Sequence, residues 1–140
     1  MISTYFVIDG EPRPKGRPRF HIMNGHVSTY TPSETRKYEA SVLKQYMEQS
    51  GQSFGESPIS IHIICHMPIP KSTTKKLYER MINNFVFHTK KPDVDNLAKS
   101  ILDSLNGKTY KDDSQIVSLH IEKKYSDTPR TEVWIREVCI

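Results

Sequence analysis

Residues 90–115, KKPDVDNLAKSILDSLNGKTYKDDSQ, place five aspartates and five lysines around one apolar helical stripe. Asp93 and Asp95 stand two apart, and Asp112 and Asp113 follow about eighteen residues later across a helix and a turn. Carboxylates brought together repel, so convergence on one point requires a cation. A hard divalent ion meets that requirement: Mg²⁺ takes oxygen ligands, keeps several waters and is usually held by one or two carboxylates plus a substrate phosphate. Asp93 and Asp95 fall where a helix begins, and backbone N–H groups there favour anionic ligands. Lys99 lies one helical turn after Asp95, where an ammonium can meet the charge that grows on a phosphate in its transition state.

Each pair also has a plainer reading. Asp95 can be a helix cap paired with Lys99, and Asp112-Asp113 a solvated turn. Asp103 is read as facing water on the helix exterior. His62 and His66 share one strand face, but no third ligand of the same kind lies nearby in the chain, so a non-metal role is expected. A second basic feature is the arm at Arg13, Lys15, Arg17 and Arg19, alternate positions between prolines, which suits a phosphate-tracking segment or a solvated loop.

Three helices and four longer strands must position these groups. Residues 1–8 alternate as a strand, with Phe6 and Ile8 on one face. Residues 11–31 form an irregular arm or loose hairpin turning at Asn24-Gly25. Pro32 opens a helix with Tyr38, Val42 and Tyr46 at four-residue spacing, ending near Ser50-Gly51. Residues 59–67 alternate again, stop at Pro68 and Pro70, and lead through Lys71-Ser72-Thr73 into a short basic helix ending near Met81. A loop over 82–92 carries Phe85-Val86-Phe87. A helix from Asp95 repeats Leu97, Ile101 and Leu105 and stops at Asn106-Gly107. Residues 116–125 form a strand with Val117, Leu119 and Ile121 inward, and 131–138 its hairpin partner. This order predicts one α+β domain over 1–140, a mixed β-sheet with helices packed on one face.

With 140 residues, the chain has a gyration radius of about 14 Å. It contains no apolar run of membrane-spanning length, and Asp9 comes too early for a signal peptide, so a cytoplasmic protein without membrane contact is expected. Cys65 and Cys139 form no CxxC motif and are not expected to pair. The net charge is +4, but basic groups concentrate at 71–111, nine against four acids, which points to a polyanionic partner more than the total does.

The run Asp93-x-Asp95-Asn96-x-x-Lys99-x-x-x-Asp103-x-Leu105, followed by Asp112-Asp113-x-Gln115, closely resembles the RusA family of Holliday junction resolvases. So do the Pro-x-Pro-Lys-Gly-Arg-Pro-Arg segment at 12–19, Thr29-Tyr30-Thr31-Pro32, and Met67-Pro68-x-Pro70-Lys71. The resemblance implies a homodimeric, Mg²⁺-dependent endodeoxyribonuclease, common on prophages, with Mn²⁺ able to substitute, that acts in recombination and repair by nicking opposed strands of a four-way DNA junction. It implies metal ligation by Asp93, Asp95 and Asp113, with Asp112 as a further candidate, and a catalytic Lys99. Arg13, Lys15, Arg17 and Arg19, with Lys71, Lys75 and Lys76, are expected to hold the duplex arms.

Two rivals remain: a nuclease for other branched DNA or for RNA, and a non-catalytic DNA-binding module. The expected dimer interface is the edge of the 59–67 strand or the Phe85-Val86-Phe87 patch, for which core packing is an equal reading.

Overall fold

The most apolar alternation in the chain, Ile59, Ile61, Ile63, Cys65 and Met67, lies at the centre of the molecule with every one of these side chains buried. A computed structural model describes residues 1–138; the expectation for Cys139 lies outside them. In chain order the elements are β1 (Ser3–Asp9), β2 (Arg19–Met23), β3 (His26–Tyr30), α1 (Ser33–Gln49), β4 (Ile59–Pro68), α2 (Lys75–Ile82), α3 (Val94–Leu105), a 3₁₀ turn (Asp113–Gln115), β5 (Ile116–Ser126) and β6 (Arg130–Glu137). The main sheet runs β1-β6-β4-β5, with β4 parallel to β5 and antiparallel to β6. It is a mixed sheet in an α+β domain, as the element order predicts.

Strand order differs from the expected hairpin. β5 and β6 do not pair; β4 lies between them, and the link from Ser126 to Arg130 straddles the end of β4. Two strand spacings are about 9.6 Å, within reach of four extended peptide units at about 3.3–3.6 Å each. β4 ends at Pro68, level with Ser126 where the link begins. The central place goes to the strand with the longest buried alternation, because there both of its edges are covered. This overturns the expectation that the β4 edge forms a dimer interface; the free edges belong to β1 and β5.

The core face of the sheet brings Phe6 and Ile8 of β1, Val133 and Ile135 of β6, and the β4 stripe against Val42 and Tyr46 of α1 and Leu97, Ile101 and Leu105 of α3. The rings of Phe6 and Tyr46 meet edge to face at 4.7 Å. Burying the three α3 side chains contributes roughly 5–9 kcal/mol, against about 0.3–0.5 kcal/mol for an exposed i,i+4 ion pair. Packing therefore sets the rotation of α3, and its charged flank follows.

Val117 and Leu119 are not buried as inward-facing positions would be; both are exposed. Val117 sits at a β-bulge, where Ile59 pairs with Ile116 and Ser60 with Ser118. Beyond it Leu119 and Ile121 share the core-side register of Ile61 and Ile63, but β5 is an edge strand that α3 covers incompletely.

Asn24 and Gly25 turn the β2–β3 hairpin with φ of 52° and 77°, the left-handed values a tight two-residue turn requires. This ribbon pairs only with itself and all ten of its strand residues are exposed. Among the described residues no helix is long and apolar enough to cross a membrane.

Candidate active site: a carboxylate cleft between α3 and β5

On α3, Asp95, Ala98, Lys99, Leu102 and Asp103 fall at positions i, i+3, i+4, i+7 and i+8, one stripe beside the core-facing one. With Val94 from the start of the helix, Asp113 from the 3₁₀ turn and Leu119 and Ile121 from β5, they line a cleft of about 350 Å³. Three carboxylates and one ammonium give the lining a formal charge of −2.

The turn before β5 delivers Asp113. Asp112 caps it: its carboxylate accepts from the backbone N–H of Ser114 at 3.0 Å, and its own N–H donates to the side chain of Gln115 at 2.9 Å. The side chain and backbone of Ser114 hold the Asp112 carboxyl below the usual carboxylate range. Gln115 also donates to the Ser57 carbonyl at 2.9 Å, tying the turn to the chain entering β4. Asp112 is thus occupied with the turn and does not line the cleft, whereas Asp113 does.

Asp93 occupies the cap position of α3 but makes no capping hydrogen bond; it is exposed and not part of the lining. Asp95 accepts from the N–H of Asn96 at 3.0 Å. Of the aspartates expected to converge, Asp95 and Asp113 share the cleft, and Asp93, two residues before Asp95 in the chain, does not line it.

Asp103 is not on the solvent exterior as expected. It lies 3.2 Å from the ammonium of Lys15 and 3.8 Å from that of Lys99, with about a fifth of its side chain exposed. Its position eight residues from Asp95 on the same helical stripe is the sequence signal that places it here.

Lys15 also differs from its fellow arm residues. Its ammonium bridges Asp103 on α3 and Glu39 on α1, the latter at 2.5 Å. Burial disfavours its charge, but hydrogen bonds to Glu39 and Asp103 outweigh that and raise its pKa. Its backbone N–H reaches the Asn96 carbonyl at 3.4 Å, and Gly16 N–H donates to Thr35 Oγ1 at 3.2 Å. The arm is therefore fastened along the α1–α3 seam, and Arg13, Arg17 and Arg19 remain exposed. Lys71, Lys75 and Lys76 are exposed around the start of α2, whose cap is Thr74; none lines the cleft. Burial followed by Asp113, Asp103 and Asp112 raises the pKa of Tyr110, which is buried behind the cleft and donates to the Leu102 carbonyl at 2.9 Å.

The donor set fits a hard ion. Every ligand-capable atom in the lining is a carboxylate oxygen, with no imidazole or thiol, and two carboxylates suffice for Mg²⁺ when a phosphate completes the shell.

His62 and His66 part company in the fold. His66 Nε2 lies 2.5 Å from Glu132 of β6, whereas His62 faces His120 and Glu122 of β5 on the sheet face opposite the cleft. The alternation His120-x-Glu122 is the available sequence signal, but only the parallel register with β4 gives it meaning.

YqaN of Bacillus subtilis (strain 168), described as an uncharacterized protein, is 39% identical over 140 residues, covering 99% of each chain. The family model for endodeoxyribonuclease RusA matches residues 9–136, which takes in the arm, α3, the 3₁₀ turn and most of β6, and the chain therefore belongs to the RusA endodeoxyribonuclease family.

Proposed function

We propose that this protein is a Mg²⁺-dependent endodeoxyribonuclease that resolves four-way DNA junctions by paired nicks, in recombination and repair, with Asp93, Asp95 and Asp113 as its metal ligands and Lys99 as a catalytic residue. The observation that carries the reading is the cleft itself: Asp95, Asp113 and Lys99 on one wall-to-wall surface whose lining is formally −2. A surface of that sign repels phosphate unless a dication is present, so a pure DNA-binding module gains nothing from it.

When bound, Mg²⁺ supplies Lewis-acid charge for phosphodiester hydrolysis. The chain's own groups do the rest. Lys99 offers its ammonium to a non-bridging oxygen as negative charge grows there. Asp103 tethers that ammonium at 3.8 Å while Lys15 offsets the Asp103 charge at 3.2 Å. Ala98, Leu102, Leu119 and Ile121 give the cleft apolar walls that limit water beside the reacting phosphate. Arg13, Arg17 and Arg19 along the fastened arm, with Lys71, Lys75 and Lys76, contact the duplex backbone.

A domain of about 14 Å gyration radius cannot readily set one cleft on two opposed strands, whereas a two-fold homodimer presents two. Phe85 and Phe87, exposed in the loop before α3, and Val117 at the bulge of edge strand β5 are apolar side chains available for that contact. Such an enzyme, common on prophages, works on DNA in the cytoplasm.

The test is incubation with labelled four-way junction, fork, flap, plain duplex and RNA, each with Mg²⁺, with Mn²⁺ and with chelator. Paired nicks in the junction that chelator abolishes are expected. Preference for forks, flaps or RNA would replace the substrate, and metal-independent or absent cleavage would overturn the reading.

A further inference from the structure

Among the described residues no helix covers the sheet face opposite the cleft, and across it runs a row of four rings, one from each strand. Tyr5 of β1 meets Trp134 of β6 at 4.9 Å, Trp134 meets His62 of β4 at 5.1 Å, and His62 meets His120 of β5 at 4.6 Å. The strand register sets this row: Tyr5 pairs with Trp134, Trp134 with His62, and His62 with His120. At its β5 end Glu122, two residues beyond His120 on the same face, places a carboxylate oxygen 3.4 Å from His62 Nε2.

We propose that His62, His120 and Glu122 form a transition-metal site, with Zn²⁺ as the ion, separate from the cleft. One ligand atom from each lies within 4.8 Å of the other two. Ligand atoms at about 2.0–2.1 Å around a tetrahedral ion stand about 3.3 Å apart, so rotation of side chains that are only partly covered closes the set. Two imidazoles and a carboxylate suit Zn²⁺ and its neighbours in the first transition row, and are a poor set for Mg²⁺.

The backbone under the ligands is the paired β4–β5 ladder, which fixes their origins more firmly than a loop would. Trp134 stands against His62 and shields one side, and His66 is already engaged with Glu132, which leaves three protein ligands and an open fourth position. The ion would add a tie between edge strand β5 and central strand β4 to the His62–Glu122 contact at 3.4 Å and the His62–His120 ring contact at 4.6 Å. This inference does not rest on the nuclease reading, since the two sets of residues lie on opposite faces of the sheet.

The experiment titrates tag-free protein with Zn²⁺ by calorimetry in excess Mg²⁺, and with Co²⁺ while following its visible absorption. His21 and His26 of the exposed ribbon are replaced by Asn throughout, so that they supply no site of their own. One equivalent of ion, intense tetrahedral Co²⁺ bands and a Zn²⁺-dependent rise in melting temperature are expected. His120→Asn and Glu122→Gln should each weaken binding at least tenfold, and His62→Asn with His120→Asn should abolish it, while Asp95→Asn with Asp113→Asn leaves it unchanged. Stoichiometric binding that survives the double histidine replacement, binding lost with the aspartates instead, or no binding by the well-folded parent protein would overturn the proposal.

Discussion

Replacing Lys15 by Met separates two jobs that a basic arm can do. In the structure its ammonium lies between Glu39 and Asp103, with 19% of the Lys15 side chain and 22% of each carboxylate side chain exposed. Removing one partner of a fully buried ion pair costs about 3–5 kcal/mol, because a charge is left unpaired, while an exposed pair contributes about 0–1 kcal/mol. Groups one-fifth exposed fall between, and about 2 kcal/mol is the expected loss. At about 2.1 cal/mol/K per residue, the unfolding entropy of 140 residues is roughly 0.29 kcal/mol/K, so the melting temperature should fall by about 7 °C.

The raised pKa of Lys15 keeps this contribution intact below the ordinary lysine value of 10.5, and it is lost as pH rises through the higher folded value. Calorimetry at pH 7 therefore reads the full effect. Glu39→Gln and Asp103→Asn in double-variant cycles with Lys15→Met should show coupling, since all three meet at one ammonium. Neutralising Arg13, Arg17 and Arg19 should leave the melting temperature within about 1 °C but flatten the slope of log DNA affinity against log salt by about 0.9 for each phosphate no longer neutralised. If Lys15→Met leaves stability unchanged and flattens the salt slope like the arginines, the arm is not fastened as described.

Gly16→Ala would drive a Cβ into Thr35 Oγ1, so the Thr35 side chain must rotate away and give up its bond from the Gly16 N–H, or the arm must shift; lower thermal stability is expected, partly restored by adding Thr35→Ala. Asp112→Asn should cleave DNA within a few-fold of wild type, because an amide oxygen can still accept from Ser114, and a loss as deep as that of Asp113→Asn would make Asp112 a ligand instead of a turn cap. Burial raises the pKa of Glu132, but the Tyr5 hydroxyl and His66 outweigh it, holding its carboxyl below the ordinary 4.5. Its contribution is thus present above pH 4.5 and disappears as pH falls through the lower folded value. Urea titrations should show the gap between wild type and Glu132→Gln closing below that pH, and a gap independent of pH would refute the pairing.

The elements legible in the sequence are those whose signals are local. Leu97, Ile101 and Leu105 mark α3, the alternation from Ile59 to Met67 marks β4, and Asn24-Gly25 marks the ribbon turn; each requires only a few neighbouring residues. Strand order does not work that way, because a short link after Ser126 normally closes a hairpin, and only the competition for the buried central position puts β4 between β5 and β6. The same non-local step accounts for the site residues whose places differ from expectation. Lys15 reads as one more charge in a basic arm until the α1–α3 seam brings Glu39 and Asp103 to it, and Asp103 reads as solvent-facing until the rotation of α3 is set by its core stripe. Leu119 reads as core until β5 proves to be an edge strand, where it becomes a wall of the cleft.

The central claim, that the α3–β5 carboxylates serve the cutting step and not DNA affinity or folding, is tested most directly by single Asp93→Asn, Asp95→Asn and Asp113→Asn proteins. Junction cleavage in Mg²⁺ and junction binding in chelator are measured on the same preparations, with melting temperature as a check on folding. Each variant should lose cleavage while binding stays equal or tightens, because a ligand is removed and repulsion of phosphate falls. Cleavage within a few-fold of wild type in properly folded Asp95→Asn and Asp113→Asn proteins would contradict the account.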